Sequence, residues 1–298
     1  MRMTIAALAL LLFLLPLCRA AVVDDVPKAP PAPAAWPFFA FCHDTHDAKK
    51  RSLAEQAALL KELGYDGAGH LWLGQVPERL KTLDEAGLKL YQVYVQIDLA
   101  PGKQAFDPKL KEVAALLKGR DTQIAVLVAG LGPSDPAGDA RAVEGVRQIA
   151  DIAREAGLKV VLYPHSGFWL EKVEDALRVV KKADRPNLGV MFNLCHWLKV
   201  DEEKNLRPLL TAAMPYLWAV SIHGADKADE IHAGKGNWIQ PLGSGSFDVP
   251  ALLALLKELG YKGPIGLQCY GIGGDAREHL ARSMAAWKKM NEKPAEAK

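Results

Sequence analysis

The sequence predicts a single-domain α/β protein with the (β/α)8 fold, the TIM barrel. Eight short apolar runs alternate with amphipathic stretches from Trp36 onward, a pattern typical of strands that alternate with helices. Four times a helical stretch, a glycine and an apolar run follow one another, as in ELGYDGAGH and EAGLKVVLY. About eight such units in about 260 residues match the size of this barrel. An open doubly wound sheet is the alternative, but no Gly-rich phosphate-binding turn follows the first run.

The predicted strands are apolar runs that end in polar residues. In chain order they are PFFAFCHD, GAGHLWL, LKLYQVYVQI, QIAVLVAGL, KVVLYPHSG, LGVMFNLCH, WAVSIHGAD and PIGLQCYGI. The helices between them carry capping signals, and Ser52 and Glu55 have the spacing of a capping box at the start of the first helix. Glycines stand where helices should end, at Gly64, Gly87, Gly157 and Gly260.

Four segments are predicted along the chain. Residues 1–20 have the features of a secretory signal peptide, because Arg2 precedes an apolar run and small residues stand before a cleavage point at Ala21. Residues 21–35 form a Pro/Ala-rich tether, residues 36–291 the barrel and residues 292–298 a flexible tail. A membrane anchor is the alternative, but the apolar run is shorter than the ~20 residues of a membrane span. The chain is therefore expected to be secreted or periplasmic, with no membrane span after cleavage.

Charge and cysteine content exclude several classes of protein. The formal net charge is only +2, and the basic residues are scattered, which argues against a nucleic-acid partner. Three cysteines remain after the signal peptide, at Cys42, Cys195 and Cys269, and none belongs to a CxxC pair. The sequence thus predicts neither a disulfide framework nor a thiolate zinc site, and it leaves the oligomeric state open.

Histidines collect at the ends of the predicted strands. In a (β/α)8 barrel the active site forms where the carboxyl ends of the strands meet the loops that follow. Six of the chain's eight histidines fall at such ends. They are His43, His46, His70, His165, His196 and His223. A lone histidine there is more often structural than functional, but six of them predict a functional pocket.

Three segments of the chain resemble a known family. GYDGAGH, SIHGAD and PLGSGSFDVPALLALLKELGYKGPIGLQ are similar to GYDGxE, HxKD and PLGEGxxDxxxxxxxLxxxGYxGxxxxE in the xylose isomerase-like sugar phosphate isomerases and epimerases. That family also includes the endonuclease IV-type barrels. The resemblance covers nearly the whole chain after residue 35, and it implies the same barrel and an activity on sugars.

The resemblance also implies a metal site, but most of its ligands are substituted here. Family members typically hold a divalent cation with a Glu, an Asp, a His and a Glu at the ends of strands five to eight. The corresponding positions are Tyr163, Asn193, His223 and Gln268. Three carboxylates have become a phenol and two amides, whereas hard cations bind through anionic oxygens. We therefore expect no cofactor of the family's divalent type.

Of two further family positions, one is substituted in this chain and the other is retained. The second-strand Glu falls at Gly69, while the His that follows the strand-six ligand is retained as His196. The clustered histidines leave a metal (Mn, Mg or Zn) as a minor alternative, since imidazole is a good ligand for Zn²⁺. No pair of them has a helical i, i+4 spacing.

The remaining polar groups suit a small-molecule carbohydrate, because amides, phenols and imidazoles offer the mixed donors and acceptors that hydroxyl groups need. The predicted substrate-binding residues are Tyr163, Asn193, Gln268, His43, His70, Gln96, Trp197, Asp226, Gln240 and Tyr270. The Trp197 ring could stack on a sugar or simply brace the rim.

Two functional hypotheses remain open. In the first, the chain is a sugar isomerase or epimerase that works without metal, with His223, His165 and His196 as acid and base, because imidazole titrates near neutral pH. In the second, the chain is a non-catalytic pseudoenzyme that binds a carbohydrate. The second hypothesis explains the three neutral replacements more simply, and the first explains the histidines better.

Overall fold

The computed structural model describes residues 36–292 of the chain. They form a closed barrel of eight parallel strands, in which each strand pairs with the next and the last pairs with the first. The predicted (β/α)8 fold is confirmed. The predicted signal peptide, the tether and residues 293–298 of the predicted tail lie outside the described residues. Within residues 36–292, no helix is both long and apolar enough to cross a membrane.

The strands follow the predicted apolar runs. They are β1 (Phe38–Phe41), β2 (Gly67–His70), β3 (Lys89–Asp98), β4 (Gln123–Ala129), β5 (Lys159–Leu162), β6 (Leu188–Asn193), β7 (Leu217–Ile222) and β8 (Ile265–Gln268). The helices are α1 (Leu53–Leu63), α2 (Val76–Ala86), α3 (Leu110–Leu116), α4 (Asp139–Glu155), α5 (Val173–Ala183), α6 (Leu194–Val200), α7 (Leu206–Ala213), α8 (Ala228–His232), α9 (Val249–Glu258) and α10 (Ala276–Asn291).

The capping signals act as predicted. The Ser52 side chain accepts a hydrogen bond from the Glu55 backbone, and the Glu55 carboxylate accepts one from the Ser52 N–H at 2.8 Å. Gly64 and Gly87 end α1 and α2 with φ of 88° and 67°, which is the left-handed conformation that glycine adopts without strain. Helix α6 was not predicted. It begins at Leu194, directly after β6, so that Cys195 and His196 are helical residues.

Two apolar layers fill the molecule. The larger layer lies between the strands and the surrounding helices, and the smaller one fills the barrel interior. Aromatic rings dominate the interior, where Phe41 and Tyr94 stack with centroids 5.7 Å apart and Tyr94 meets the edge of Tyr163 at 5.7 Å. These rings form the floor beneath the carboxyl ends of the strands.

Gly69 of β2 is required by this packing. A Cβ atom at position 69 would lie 2.8 Å from Cβ of Phe41 and 3.3 Å from the Tyr94 ring. The nearest atom is the first carbon of a side chain and not a flexible end, so the barrel wall itself would have to move. The residue that occupies the second-strand Glu position therefore leaves no room for any side chain.

We expect Gly69→Ala to lower the free energy of unfolding by roughly 1–3 kcal/mol, because the added methyl group overpacks the interior. Urea denaturation monitored by circular dichroism measures the change. Gly74→Ala is the matched control, since no atom lies within 4 Å of a Cβ at that position. Equal stability of the two variants would contradict the steric explanation.

Candidate functional site

Four neighbouring strands direct polar side chains toward the barrel axis at their carboxyl ends. Tyr163 lies directly after β5, Asn193 ends β6, Ser221 lies in β7 and Gln268 ends β8. Met191 and Ala219 pack in the interior layer, so alternation places Asn193 and Ser221 on the same inward face. All four side chains are buried.

These four residues form one hydrogen-bonded unit, here called the Asn193 network. Asn193 Nδ2 lies 2.9 Å from the Tyr163 hydroxyl, 2.7 Å from the Ser221 hydroxyl and 2.8 Å from Gln268 Oε1. Asn193 Oδ1 accepts a hydrogen bond from the His196 N–H at 3.1 Å and so caps α6. This contact fixes the orientation of the Asn193 amide. In the reversed orientation the Nδ2 hydrogens would face the His196 N–H, and two donors cannot bond to each other.

The Asn193 network has one acceptor too many. Nδ2 carries two hydrogens, and three oxygens surround it. Gln268 Oε1 can only accept, whereas the hydroxyls of Tyr163 and Ser221 can also donate. Burial raises the pKa of Tyr163 well above its usual range, so this phenol stays protonated. Neither hydroxyl can donate to Nδ2, which is not an acceptor, so the hydroxyl hydrogens of Tyr163 and Ser221 both point away from it and can reach another acceptor.

The Asn193 network occupies three of the four positions at which the family's metal ligands stand. The fourth position is His223. Their donor set contains no carboxylate, and the oxygens of Tyr163 and Gln268 already face the Asn193 amide. Within residues 36–292, no group of three or more His, Cys, Asp or Glu is arranged to hold a metal ion. These residues do not fit a hard divalent cation, which needs anionic oxygens to offset the loss of its hydration.

Three imidazoles lie beside the Asn193 network. His223 Nδ1 lies 2.8 Å from the Gly224 carbonyl oxygen, so Nδ1–H donates and Nε2 carries the lone pair. His196 Nδ1 lies 3.1 Å from the Ser166 hydroxyl, and the His165 and His196 rings are 3.8 Å apart. The Nε2 atoms of His196 and His223 are buried and have no partner among the described residues.

These imidazoles are neutral at neutral pH. Burial lowers the pKa of His223 to about 4, and the nearby Lys199 ammonium acts in the same direction. Burial also lowers the pKa of His196 to about 2, with further contributions from His165, Lys199 and His223. The pKa of His165 is lowered by burial as well. The site therefore presents neutral imidazoles that accept hydrogen bonds, rather than cations.

Gln96 and His165 form the partly exposed edge of the site. Gln96 lies on the same face of β3 as Tyr94, two residues nearer the carboxyl end, and both Gln96 and His165 are half-buried.

His43 is fully buried, and neither of its ring nitrogens has a partner among the described residues. Burial lowers the pKa of His43 to about 4.

His70 lies apart from this group. Its neighbour Ala68 packs in the outer layer, and alternation therefore turns His70 toward the helices. Arg79 of α2 donates to His70 Nδ1 at 3.3 Å, and His70 Nε2 donates to the Gly74 carbonyl oxygen at 2.5 Å. Both ring nitrogens are thus engaged by the protein, and the substrate-binding role stays a prediction that these contacts do not support.

Asp226 and Gln240 contact each other. Gln240 Nε2 donates to Asp226 Oδ2 at 2.6 Å, and the same carboxylate accepts backbone hydrogen bonds from Asn237 and Ser246. The pair holds together the loops that follow β7. Its members are engaged within the protein, and their predicted role in substrate binding has no further support.

The aromatic candidates have different positions. Trp197 is buried in the outer layer and donates from Nε1 to Asp201 at 3.1 Å, so its ring braces α6 and is not free to stack on a sugar. Tyr270 is 53% exposed and meets the His46 ring edge-on at 5.0 Å. Tyr270 therefore remains available at the rim.

Two serines belong to the site although they are not among the predicted catalytic or substrate-binding residues. Ser221 contacts Asn193 directly, and Ser166 holds His196 through its hydroxyl group. Ser221 stands two residues before His223, so alternation along β7 could have identified it. No sequence signal indicates that Ser166 contacts a histidine from another strand end.

The fold and the substituted strand ends define a barrel of the sugar isomerase and epimerase type. The model of the xylose isomerase-like TIM barrel family matches residues 57–290, and the chain belongs to this family. It is also similar to a hydroxypyruvate isomerase-like protein of Homo sapiens, with 24% identity over 250 residues that cover 75% of this chain and 86% of that protein.

Solved structures share the fold. A D-psicose 3-epimerase of Clostridium cellulolyticum H10 with D-tagatose superposes with a TM-score of 0.63 at 16% identity, covering 85% of this chain and 98% of that one. A xylose isomerase-like TIM barrel protein of Mycobacterium smegmatis in complex with magnesium has a TM-score of 0.65 at 18% identity, covering 86% of this chain and 96% of that one.

The buried imidazoles predict a specific pH dependence of stability. The folded-state pKa of His223 is about 4, whereas an unfolded histidine has a pKa of about 6.5. Between pH 4 and pH 6.5 the unfolded chain therefore binds more protons than the folded chain. The free energy of unfolding has its full value above pH 6.5 and falls as the pH is lowered toward 4. We expect His223 to contribute a loss of about 2 kcal/mol between pH 7 and pH 5.

Urea unfolding at several pH values measures this loss. The His223→Gln variant is expected to show a shallower decline in stability with falling pH than the natural protein. His232→Gln, at an exposed position, is the matched control. The same pH slope in all three proteins would show that His223 does not remain neutral in the folded state.

Proposed function

We propose that the protein binds a carbohydrate at the carboxyl ends of β5–β8 and does so without the family's divalent cation. The observation that carries this proposal is the Asn193 network. Its side chains are uncharged and meet at Asn193 Nδ2, and Tyr163, Asn193 and Gln268 stand where the resemblance places the carboxylates that a hard cation requires. A site of this kind recognises its ligand through neutral hydrogen bonds.

The chemistry of the free groups favours a polyol. His223 Nε2 can accept a hydrogen bond from a hydroxyl group, His196 Nε2 accepts or donates one according to its tautomer, and the hydroxyls of Tyr163 and Ser221 can donate. Gln96 and His165 add polar groups at the partly exposed edge. Family membership agrees with this class of ligand, and one relative with the same fold was solved with the sugar D-tagatose.

A metal-free isomerase or epimerase is the second candidate. The two unpartnered Nε2 atoms favour it, because a neutral imidazole could take a proton from a carbon beside a carbonyl group and return the same proton to the neighbouring carbon. Such a reaction gives up the several kcal/mol that a Lewis acid contributes. A base with a pKa near 4 is also weak for this task at neutral pH. The geometry therefore supports binding more strongly than turnover.

We also propose that the mature protein acts outside the cytoplasm. The predicted signal peptide at residues 1–20 supports this, and an intact mass that begins at Ala21 is the expected result of cleavage. Retention of Met1 in protein from its natural host would contradict a cleaved signal peptide.

The binding proposal is tested by thermal unfolding of chelator-treated protein against a panel of aldoses and ketoses. We expect at least one sugar to raise the Tm, because a ligand that binds only the folded state stabilises it. His223→Ala should abolish the shift by removing an acceptor from the pocket. His279→Ala is the control, since this buried histidine lies in α10, outside the barrel interior.

The same sugars decide between the two candidates. NMR in D2O detects both a new product and exchange of the carbon-bound hydrogen that proton transfer requires. Stabilisation without exchange supports the binding protein, whereas exchange that persists in chelator supports the metal-free enzyme. Absence of any Tm shift across the panel would contradict carbohydrate binding.

Restoring the carboxylates should create a metal site. We expect the triple variant Tyr163→Glu, Asn193→Asp and Gln268→Glu to bind Mn²⁺ and to gain thermal stability from it, because three anionic oxygens then join His223. Calorimetric titration measures the binding. The control is Tyr163→Gln with the other two residues unchanged, which alters the shape of the site without adding a negative charge. This variant should bind no Mn²⁺. Tight stoichiometric Mn²⁺ in the natural protein would overturn the proposal of a metal-free site.

A further inference from the structure

A cavity lies at the opposite end of the barrel from the Asn193 network. It has a volume of about 470 Å³, which falls within the range of small-molecule sites. Lys89, Gln123 and Lys159 are the first residues of β3, β4 and β5, and all three line it. The cavity is therefore the amino-terminal mouth of the barrel, and the Asn193 network plays no part in it.

The floor of this mouth is closed by two amides. Gln92 Nε2 donates to Gln123 Oε1 at 3.0 Å, and Gln123 Nε2 donates to the Trp218 carbonyl oxygen at 3.0 Å. The interior rings of Phe39 and Tyr91, which stack at 4.8 Å, lie in the apolar layer of the barrel. Gln123, which lines the cavity, is thus linked to the barrel interior through Gln92.

Aromatic rings form its walls. Tyr91 and Trp218 line the cavity, and Trp218 is half-buried. A Cβ atom at Gly189 would lie 2.5 Å from the Trp218 ring, so this glycine makes the space in which the indole packs. Burial raises the pKa of Tyr91 to about 12, and the phenol stays uncharged. The walls therefore offer neutral, flat surfaces for a ring.

The rim of the mouth is positively charged. Lys89, Lys159 and Lys262 line it, and Asp121, which pairs with Lys89 at 2.7 Å, is the one acidic residue among the lining residues. Lys159 and Lys262 are exposed and form no ion pair with any of residues 36–292. The ammonium groups of Lys89 and Lys159 lie 4.9 Å and 5.8 Å from the centroids of the Tyr91 and Trp218 rings. Lys159 is thus an uncompensated cation beside an aromatic wall, and Lys262 is a second uncompensated cation among the lining residues.

Lys159 is the most informative of these residues. It shares a strand face with Val161, which packs in the barrel interior, so alternation directs Lys159 toward the barrel axis. An inward position at the end of a barrel is ordinarily filled by an apolar side chain that closes the core. A lysine there leaves the end open and makes it attractive to anions.

We propose that the amino-terminal mouth of the barrel binds a small organic anion in which a flat apolar ring carries a carboxylate, sulfonate or phosphate group. The ring lies against Trp218 and Tyr91, and the anionic group pairs with Lys159 and Lys262. The ammonium groups gain a counter-ion that the protein does not supply. This site is independent of carbohydrate binding at the other end.

Calorimetric titration with 2-naphthoate tests the proposal. We expect one molecule to bind per chain, and the uncharged 2-naphthamide to bind about tenfold more weakly or not at all, because it lacks the charge that pairs with the lysines. Raising the salt concentration should weaken naphthoate binding and leave naphthamide unchanged. Equal affinity for the two probes would overturn the assignment.

Two variants locate the site. Lys159→Glu combined with Lys262→Glu should abolish naphthoate binding. Lys103→Glu combined with Lys109→Glu makes the same change in net charge on exposed residues between β3 and α3, at the other end of the barrel, and should bind as the natural protein does. Trp218→Ala should weaken binding of both probes through the lost ring contact. Naphthoate binding that survives the Lys159 and Lys262 changes would place the ligand elsewhere, and absence of binding to the natural protein would refute the proposal.

Discussion

The side-chain amide of Asn193 sets the character of the candidate site. One face of it caps α6 through the His196 N–H, and the other face contacts three oxygens from three neighbouring strand ends. A carboxylate could accept the capping hydrogen bond but could offer no hydrogen to Gln268 Oε1. Asn193 supplies the hydrogen and Gln268 the acceptor, so the two amides pair without a charge at either position.

The packing at the floor of the barrel agrees with the uncharged character of the site. Phe41 and Tyr94 fill the interior up to the level of Gly69, and a side chain at position 69 would collide with them. The glycine at the second-strand Glu position and the amides at the metal positions thus belong to one arrangement. The interior is filled by rings and neutral hydrogen bonds, where a metal site would need open space and negative charge.

The sequence predicted the fold well because periodicity and helix caps are local signals. Apolar runs, the Ser52 capping box and glycines such as Gly64 each act over a few residues, and eight repeats reinforce one another. Alternation accounts for the inward face of Asn193 only once Met191 is seen to pack in the interior. It could not show that His70 turns outward to Arg79, since the register of a short strand depends on its neighbours. Nor could it show that Asp226 and Gln240 bind each other, because this contact joins loop residues across a turn of the chain.

The protonation state of the histidines is the property furthest from the sequence. Imidazole in solution titrates near neutral pH, and this is why His165, His196 and His223 are predicted as acids and bases. Burial changes this, since His223 and His196 lie where a cation would be poorly solvated and close to Lys199. A sugar hydroxyl that donates to His223 Nε2 would stabilise the neutral ring further and oppose its protonation. Tight binding of the hydroxyl and proton uptake therefore compete for the same lone pair, and the buried position of the ring favours binding.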